Sequence, residues 1–384
     1  MLNFPAMASS RVTRWQWLRN GDETFAAMLA AIDAAQKSVR FETYIYSDDA
    51  IGRQFLAALL RAQQRGAHVC VLVDAIGSFM LPGDFFSSLV AVGGEARVFN
   101  PLALRRLTIR DHRKLLVCDE QVAFIGGYNI CNVYAGDGVS AGWFDLGLRC
   151  EGELCVELAR SFDTMFALAD FRHKRLMRLR RSKHKYAAPF APEQLLLGGP
   201  GRGPNPIRRA LYRDLAKARR AQIIEAYFLP PWRLRRALGQ IARRGGEVEL
   251  ILAGKTDVVL AQLAGRSLYR RLLKSGVKIY EYQPQILHAK LIIVDDVVYV
   301  GSANLDPRSL SINYELMIRF DNAEIVAQAR EIFAAARQHS QPINLEAWKR
   351  SRTFWTRLKE RLTYYLLARV DPHLARLQWK ALPE

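Results

Sequence analysis

Two stretches of this sequence carry histidine and lysine at one spacing. The first is His112-Arg113-Lys114, with Asp119 after it; the second is His288-Ala289-Lys290, with Asp295 after it. Each runs into a glycine-rich turn ending in asparagine, Gly126-Gly127-Tyr128-Asn129 and Gly301-Ser302-Ala303-Asn304. The histidines are 176 residues apart (112 to 288) and the asparagines 175 (129 to 304). A lone histidine in a strand-like run is more often packed than catalytic. Two copies in near-constant register change that weighing, because each half then supplies one imidazole and one permanent cation.

Phosphodiester exchange needs such a set. One neutral imidazole attacks phosphorus while the other, protonated, donates to the leaving alkoxide. Two ammonium groups and the asparagine amides hold the phosphoryl oxygens as charge builds. Each imidazole also wants a carboxylate behind it to fix its tautomer. Asp145 and Glu315 stand at parallel places after the two turns. In a strand, His112 and Lys114 share a face, as do His288 and Lys290; Asp119 and Asp295 lie an odd number of residues on and need not share it. This chemistry requires no metal, no zinc-ligand spacing is present, and no cofactor is expected.

The elements that must position these residues are α/β units, and they occur twice. The first half reads as a helix over 22–37, a strand over Val39–Tyr46, a helix over Gly52–Arg65 and a buried strand over Val69–Val73. A helix over Phe85–Val92 and a short strand over Arg97–Phe99 lead to the first signature. The second half replays this: helix Ile207–Arg220, strand Ile223–Tyr227, helix Trp232–Arg243, strand Val248–Leu252, helix Ser267–Lys274, strand Val277–Tyr280, then the second signature. A repeat of whole units predicts an α/β layered architecture. The glycine- and proline-rich run 198–206 marks a loop or linker. The expected domains are 1–190 and 191–341, with a basic tail over 342–384. A helix over Glu324–Gln338 closes the second domain. The tail reads as one long amphipathic helix, Asn344–Arg369, with Trp348, Trp355 and Leu362 every seven residues. It is either interfacial or packed on the domain.

The balance of 56 Lys and Arg against 37 Asp and Glu, a formal charge of +19, favours a polyanion: nucleic acid or an anionic membrane face. A basic run, Arg172–Lys185, is either a solvated loop or a docking patch; His173 and His184 within it read as surface residues, and His68, His339 and His373 have no duplicated partner. Five cysteines without a C-x-x-C pair read as buried, reduced thiols of a cytosolic protein. No uncharged apolar run reaches the roughly 18 residues a span needs. The first residues, with Arg11 and Arg14, lack a signal-peptide core. The expectation is a soluble or surface-attached protein.

The duplicated pattern H-x-K-x4-D-x6-G-[GS]-x-N resembles the signature of the phospholipase D superfamily, over about Glu42 to Glu315. That resemblance implies two repeated phospholipase D-like α/β/α sandwich domains with pseudo-two-fold symmetry and one shared cleft. It implies His112 as nucleophile and His288 as proton donor, with Lys114, Lys290, Asp119 and Asp295 completing the catalytic set. Asn129, Asn304 and Ser302 are then supporting, phosphate-binding residues. Glu315 would back His112, and Asp145 would back His288, across the domain interface. The blocks Glu42-Thr43-Tyr44-Ile45-Tyr46, Tyr227-Phe228-Leu229-Pro230 and Asn304-Leu305-Asp306-Pro307-Arg308-Ser309 are similar to those of bacterial cardiolipin synthases, in the short form without N-terminal spans. This implies transfer of a phosphatidyl group to phosphatidylglycerol through a phosphohistidine, with release of glycerol. It places the protein on an anionic phospholipid membrane, peripheral at the cytoplasmic face of a bacterial inner membrane, with no nucleic-acid partner. Two alternatives stay open: a hydrolase of the same superfamily acting on phospholipid or DNA, and a non-catalytic membrane- or nucleic-acid-binding scaffold. Phe79-Met80-Leu81-Pro82 with Phe85 and Phe86 forms either an apolar lip or a packed helix start.

Overall fold

The computed structural model describes residues 14–100, 109–169, 185–190, 193–201 and 203–371. The expectations for residues 1–13, for the basic run as far as His184 and for the tail beyond Asp371 lie outside the described residues.

The first half runs β1 (Arg14–Leu18), α1 (Gly21–Ala34), β2 (Ser38–Thr43), α2 (Ala50–Gln64), β3 (His68–Asp74), α3 (Ser87–Ala91), β4 (Glu95–Phe99), β5 (Leu115–Cys118), β6 (Val122–Gly126), β7 (Gly147–Glu151) and α4 (Leu154–Ala169). The second runs β8 (Ala187–Phe190), β9 (Glu193–Gly198), α5 (Pro206–Lys217), β10 (Arg220–Glu225), α6 (Trp232–Arg243), β11 (Glu247–Ala253), α7 (Val259–Arg266), α8 (Tyr269–Lys274), β12 (Lys278–Tyr282), β13 (Lys290–Val294), β14 (Val297–Gly301), β15 (Glu315–Phe320) and α9 (Ala323–Gln338). β16 (Ser340–Pro342), α10 (Leu345–Ser351) and α11 (Phe354–Tyr365) follow.

Each half builds one sheet, and the two sheets have the same strand order. The first is β1-β7-β6-β5-β2-β3-β4; the second contains β9-β15-β14-β13-β10-β11-β12, with β8 and β16 added at its edges. In both, three strands are parallel (β2-β3-β4 and β10-β11-β12) and the remaining pairs antiparallel. The repeat is therefore topological, as the sequence predicts.

Local chemistry sets the elements. Asn20 and Asp49 cap α1 and α2 by accepting from the backbone of Glu23 and Gly52. After exposed His68, the apolar run of β3 is buried throughout, as a strand covered on both faces must be. One core joins β2, β3 and β5 to α1 and α2 through Phe25, Phe41, Phe55 and Val71. Another joins the second sheet to α5, α6 and α8 through Leu211, Leu238 and Leu272. Between them, α4 and α9 share a third core with the facing sides of both sheets, through Phe162, Val117, Phe333 and Ile293. The halves are thus fused by apolar packing, and the signatures face each other across it. All five cysteines are buried and unbonded.

Several expectations need correction. The signature histidines are not inside strands: β5 begins at Leu115 and β13 at Lys290, so His112 and His288 sit on the extended chain just before them. The helix over Phe85–Val92 shrinks to Ser87–Ala91, because Phe86 and Phe85 pack on Tyr46 instead. The segment over Ser267–Lys274 is the end of a pair, α7 and α8. The tail is two helices, broken at Arg352 and Thr353, where Thr353 accepts from the backbone of Thr356 and restarts the helix. The break splits the seven-residue stripe. Trp348 packs on Tyr269, with ring centroids 4.8 Å apart, whereas Trp355 is 67% exposed and Leu362 61%. β1, β7, β9 and α4 are elements that sequence patterning alone did not suggest.

Candidate active site

The two histidines are placed by a matched pair of backbone bridges between the halves. The His112 N–H donates to the carbonyl of Tyr314 at 3.0 Å, and the Tyr314 N–H to that of Arg110 at 2.9 Å. On the other side, the His288 N–H donates to Phe144 at 2.8 Å, and the Phe144 N–H to Ile286 at 2.9 Å. Each bridge is a single parallel rung, Asp111 with Tyr314 and Leu287 with Phe144. The residue after each bridging aromatic is a carboxylate, so each histidine lies beside the carboxylate of the opposite half. His112 Nδ1 is 3.1 Å from Glu315, and His288 Nδ1 is 2.6 Å from Asp145. All four side chains are buried.

The glycine-rich turns make room for these carboxylates. A Cβ on Gly127 would stand 2.2 Å from Asp145 Oδ1, so any side chain there would have to displace the carboxylate. In the second half the longer Glu315 leaves space, and Ser302 fills it, donating to Glu315 Oε2 at 2.5 Å. The choice of Gly or Ser at this place thus follows the length of the acid behind it.

The lysines complete the cluster. Lys114 donates to the His112 carbonyl at 2.7 Å and lies 5.1 Å above the Tyr44 ring. Lys290 lies against the His288 ring, with Nζ 3.1 Å from Nε2. Its Nζ is also 2.8 Å from Nδ1, but Asp145 competes for that nitrogen at 2.6 Å. We assign the Nδ1 proton to the carboxylate, the stronger acceptor. Burial, followed by the neighbouring charges Glu315, which opposes it, and Lys290, brings Lys114 down to about 7. His112 is held well below the ordinary imidazole range by burial and then by Lys114 and Lys290. His288 is lowered to about 4 by burial and Lys290, against the pull of Asp145. Groups from both halves thus meet in one buried site, where charges act on one another strongly.

The two carboxylates behave differently. Burial pushes Glu315 up to about 8, despite Lys114 and Ser302. Asp145 is equally buried, but Lys290 and His288 outweigh that cost and hold it below the usual carboxylate range. Environments that push two acids apart separate their roles.

Other sequence-nominated residues fall in two groups. Asn129 is buried, accepts from the Ile45 N–H at 3.1 Å and donates to the Tyr134 hydroxyl at 2.8 Å; that hydroxyl is 3.3 Å from His288 Nδ1. Asn304 is buried, and its Oδ1 has no hydrogen-bond partner among the described residues. Asp119 and Asp295 make their hydrogen bonds to backbone turns rather than to the histidines or lysines. Each sits at positive φ beyond its strand and ties a backbone turn. Asp119 accepts from Gln36, Lys37 and Ser38 at 2.7–2.9 Å, and Asp295 from Arg219 and Arg220 at 2.8–3.3 Å.

Sequence reasoning missed a second duplicated set. Tyr44 and Tyr227, at equal places after β2 and β10, pack their rings 4.9 Å from His112 and 6.1 Å from His288. Glu42 and Glu225 are fully buried; Glu42 pairs with Arg113 at 3.0 Å, and Glu225 faces Lys290 across the β10–β13 ladder. Their signal was the parallel Phe41-Glu42-Thr43-Tyr44 and Ile224-Glu225-Ala226-Tyr227. No metal-ligand group is found at the histidines among the described residues. The one candidate among the described residues is His68, Cys70 and Glu95, mutually within 4.8 Å on β3 and β4. His68 lies six residues from the site end of β3, roughly 20 Å along the strand.

Residues 28–135 and 211–337 match the sequence family described as cardiolipin synthase, phospholipase D-like domain. Cardiolipin synthase B of Salmonella typhi is 32% identical over 394 aligned positions, covering 96% of this chain and 94% of that one. Cardiolipin synthase B of Escherichia coli K12 is 34% identical, covering 92% and 87%. Among solved structures, the phosphatidylserine synthase of Haemophilus influenzae Rd KW20 superposes with a TM-score of 0.72 at 16% identity, over 94% of both chains, a likeness of fold.

Proposed function

The chain belongs to the cardiolipin synthase family of phospholipase D-like proteins, and from that premise we propose that it is a phosphatidyltransferase joining two phosphatidylglycerol molecules into cardiolipin with release of glycerol. The observation that carries the mechanism is the crossed pairing of His112 with Glu315 and His288 with Asp145.

With Nδ1 committed to Glu315 or to Asp145, each imidazole offers Nε2 to the cleft. His112 Nε2 attacks phosphorus, the P–O bond to the glycerol headgroup breaks, and His288 gives its proton to the departing oxygen. The phosphatidyl group is then on His112, and His288 is neutral. The hydroxyl of a second phosphatidylglycerol attacks phosphorus, its proton passes to His288, and the P–N bond breaks. Lys114 and Lys290 hold the phosphoryl oxygens as negative charge gathers. The difference between the two acids supports this division of roles. Ionised Asp145 favours an imidazolium at His288, the donor. Glu315, pushed up to about 8 by burial, gives His112 less such help, in keeping with a part as nucleophile. His288 is low in the empty cleft; the substrate's own negative charge raises it, so proton and phosphodiester arrive together.

The substrate lies in a bilayer, and the surface suits one. Among the described residues no helix is long and apolar enough to cross a membrane. Two segments leave the site ends of the equivalent strands β3 and β11 and carry exposed apolar tips: Phe79 and Met80, 67% and 77% exposed, in the loop after β3, and Val259 and Leu260, 60% and 51%, at the start of α7. The first is tied to Tyr44, whose carbonyl accepts from Ser78 Oγ; the second follows Asp257, which accepts from the Tyr227 hydroxyl. Each tip is thus one tyrosine away from a histidine. α11, packed on α7, adds exposed Phe354 and Trp355 beside Arg357 and Arg361. Apolar tips with cations around them dock on an anionic leaflet. We place this attachment at the cytoplasmic face of the cell membrane as part of the same proposal.

The test is product analysis. Purified protein with phosphatidylglycerol vesicles and a chelator is expected to yield cardiolipin and glycerol in equal amounts. Phosphatidic acid alone would make it a hydrolase, and nicking of plasmid DNA with no lipid product would make it a nuclease.

A further inference from the structure

Joining two phosphatidylglycerols brings two phosphates to the enzyme, and the lysine pair accounts for only the one that reacts. The acceptor's own phosphate stays intact, a glycerol length from the attacking hydroxyl, and needs its own cations. A cleft of about 580 Å3 lies between the segment after β10, the loop after Asn304, α5 and the C-terminal helix. That size is ordinary for a small-molecule site. Leu229, Pro231, Trp232 and Pro307 give it apolar walls, and Arg208, Arg235 and Arg369 line it with cations.

Two features connect it to the reaction. Its walls continue the catalytic segments: Leu229 is two residues past Tyr227, and its N–H donates to the carbonyl of Leu305, next to Asn304, at 3.1 Å. Its cations are uncommitted. Arg208 donates to Ser311 Oγ at 3.2 Å, and Arg235 lies 5.4 Å from the centre of the Tyr364 ring. Among the described residues none of the three meets a carboxylate, whereas Arg213, Arg308 and Arg319 nearby each do. Guanidinium groups beside apolar walls suit a phosphate that carries acyl chains.

We propose that this cleft is the acceptor subsite, where Arg208, Arg235 and Arg369 hold the unreacted phosphate of the second phospholipid and aim its headgroup hydroxyl at phosphohistidine. The inference rests on the transferase reading above. It gives the C-terminal segment a part in specificity, because Tyr364, Tyr365 and Arg369 form one wall.

The subsite acts only on the second half-reaction, where the acceptor competes with water for the phosphohistidine. The readout is therefore the ratio of cardiolipin to phosphatidic acid, with phosphatidylglycerol vesicles as the probe. Arg235→Gln and Arg369→Gln are each expected to lower that ratio about tenfold and to raise the KM for acceptor. Arg236→Gln with Arg271→Gln removes twice the charge of either variant from the neighbouring surface of α6 and α8 and is expected to leave the ratio as in the wild type. A melting curve for each variant confirms folding. A ratio unchanged in Arg235→Gln and Arg369→Gln, or lowered equally in the surface pair, overturns the subsite. Wild-type protein that forms no cardiolipin overturns the transferase reading itself, a result distinct from either.

Discussion

At the scale of single residues, the crossed pairs make the histidines unequal, and substitution should reveal it. His112→Ala and His288→Ala are each expected to lower turnover by about 10²–10⁴-fold or more, measured as cardiolipin formed per minute. A phosphatidyl donor with an acidic phenol as leaving group needs no proton, so it should restore the first step in His288→Ala and not in His112→Ala. Asp145→Asn keeps the shape and loses the charge that supports the imidazolium, and is expected to cost more in kcat than Glu315→Gln. The pH profile follows from Lys114, lowered to about 7 by burial. A lysine loses its charge as pH rises through its pKa, so kcat/KM, which reports the free enzyme, should fall above about pH 7. A bound phosphodiester favours the ammonium and moves the limb of kcat to higher pH. Coincident limbs in the two profiles would remove Lys114 as the group responsible.

Turns and strands set how closely those residues can approach. Gly127→Ala would drive a methyl into Asp145, at the cost of about 1–3 kcal/mol of stability and most of the activity; a melting curve with an assay separates the two. Asp119→Ala removes a carboxylate that holds three backbone N–H groups, and is expected to cost about 1–3 kcal/mol while kcat per folded molecule stays near wild type. The parallel strands and their helices were legible in the sequence because their signals are local: buried apolar runs, caps, and glycines after helices. β1, β7 and β9 were not, because their partners are remote. Trp15 pairs with Cys150, and Leu196 with Met317, and no short-range pattern announces such a ladder. The signature histidines were legible through duplication, and their carboxylates through parallel place. Tyr44 and Tyr227 were hidden because an aromatic in a strand reads as core. The tail misled because a seven-residue stripe is blind to a break, and Thr353 supplies one.

Across the whole molecule, each half carries an exposed apolar tip beyond the site end of an equivalent strand, β3 in one and β11 in the other. Phe79→Asp with Met80→Asp is expected to weaken partition onto phosphatidylglycerol vesicles about tenfold, in a sedimentation assay, with no shift in melting temperature, since both side chains are already in solvent. The same pair of changes should leave hydrolysis of a soluble short-chain substrate intact. On the proposed mechanism the two halves converge on one phosphorus, and His112 alone makes the covalent bond. The most direct measurement is to mix the enzyme with phosphatidylglycerol, quench in alkali, and map the adduct by peptide mass spectrometry. A phosphatidyl group on the peptide containing His112, absent in His112→Ala and retained in His288→Ala given the activated donor, is the expected result. An adduct on His288, or cardiolipin formed at the wild-type rate by His112→Ala, would contradict it.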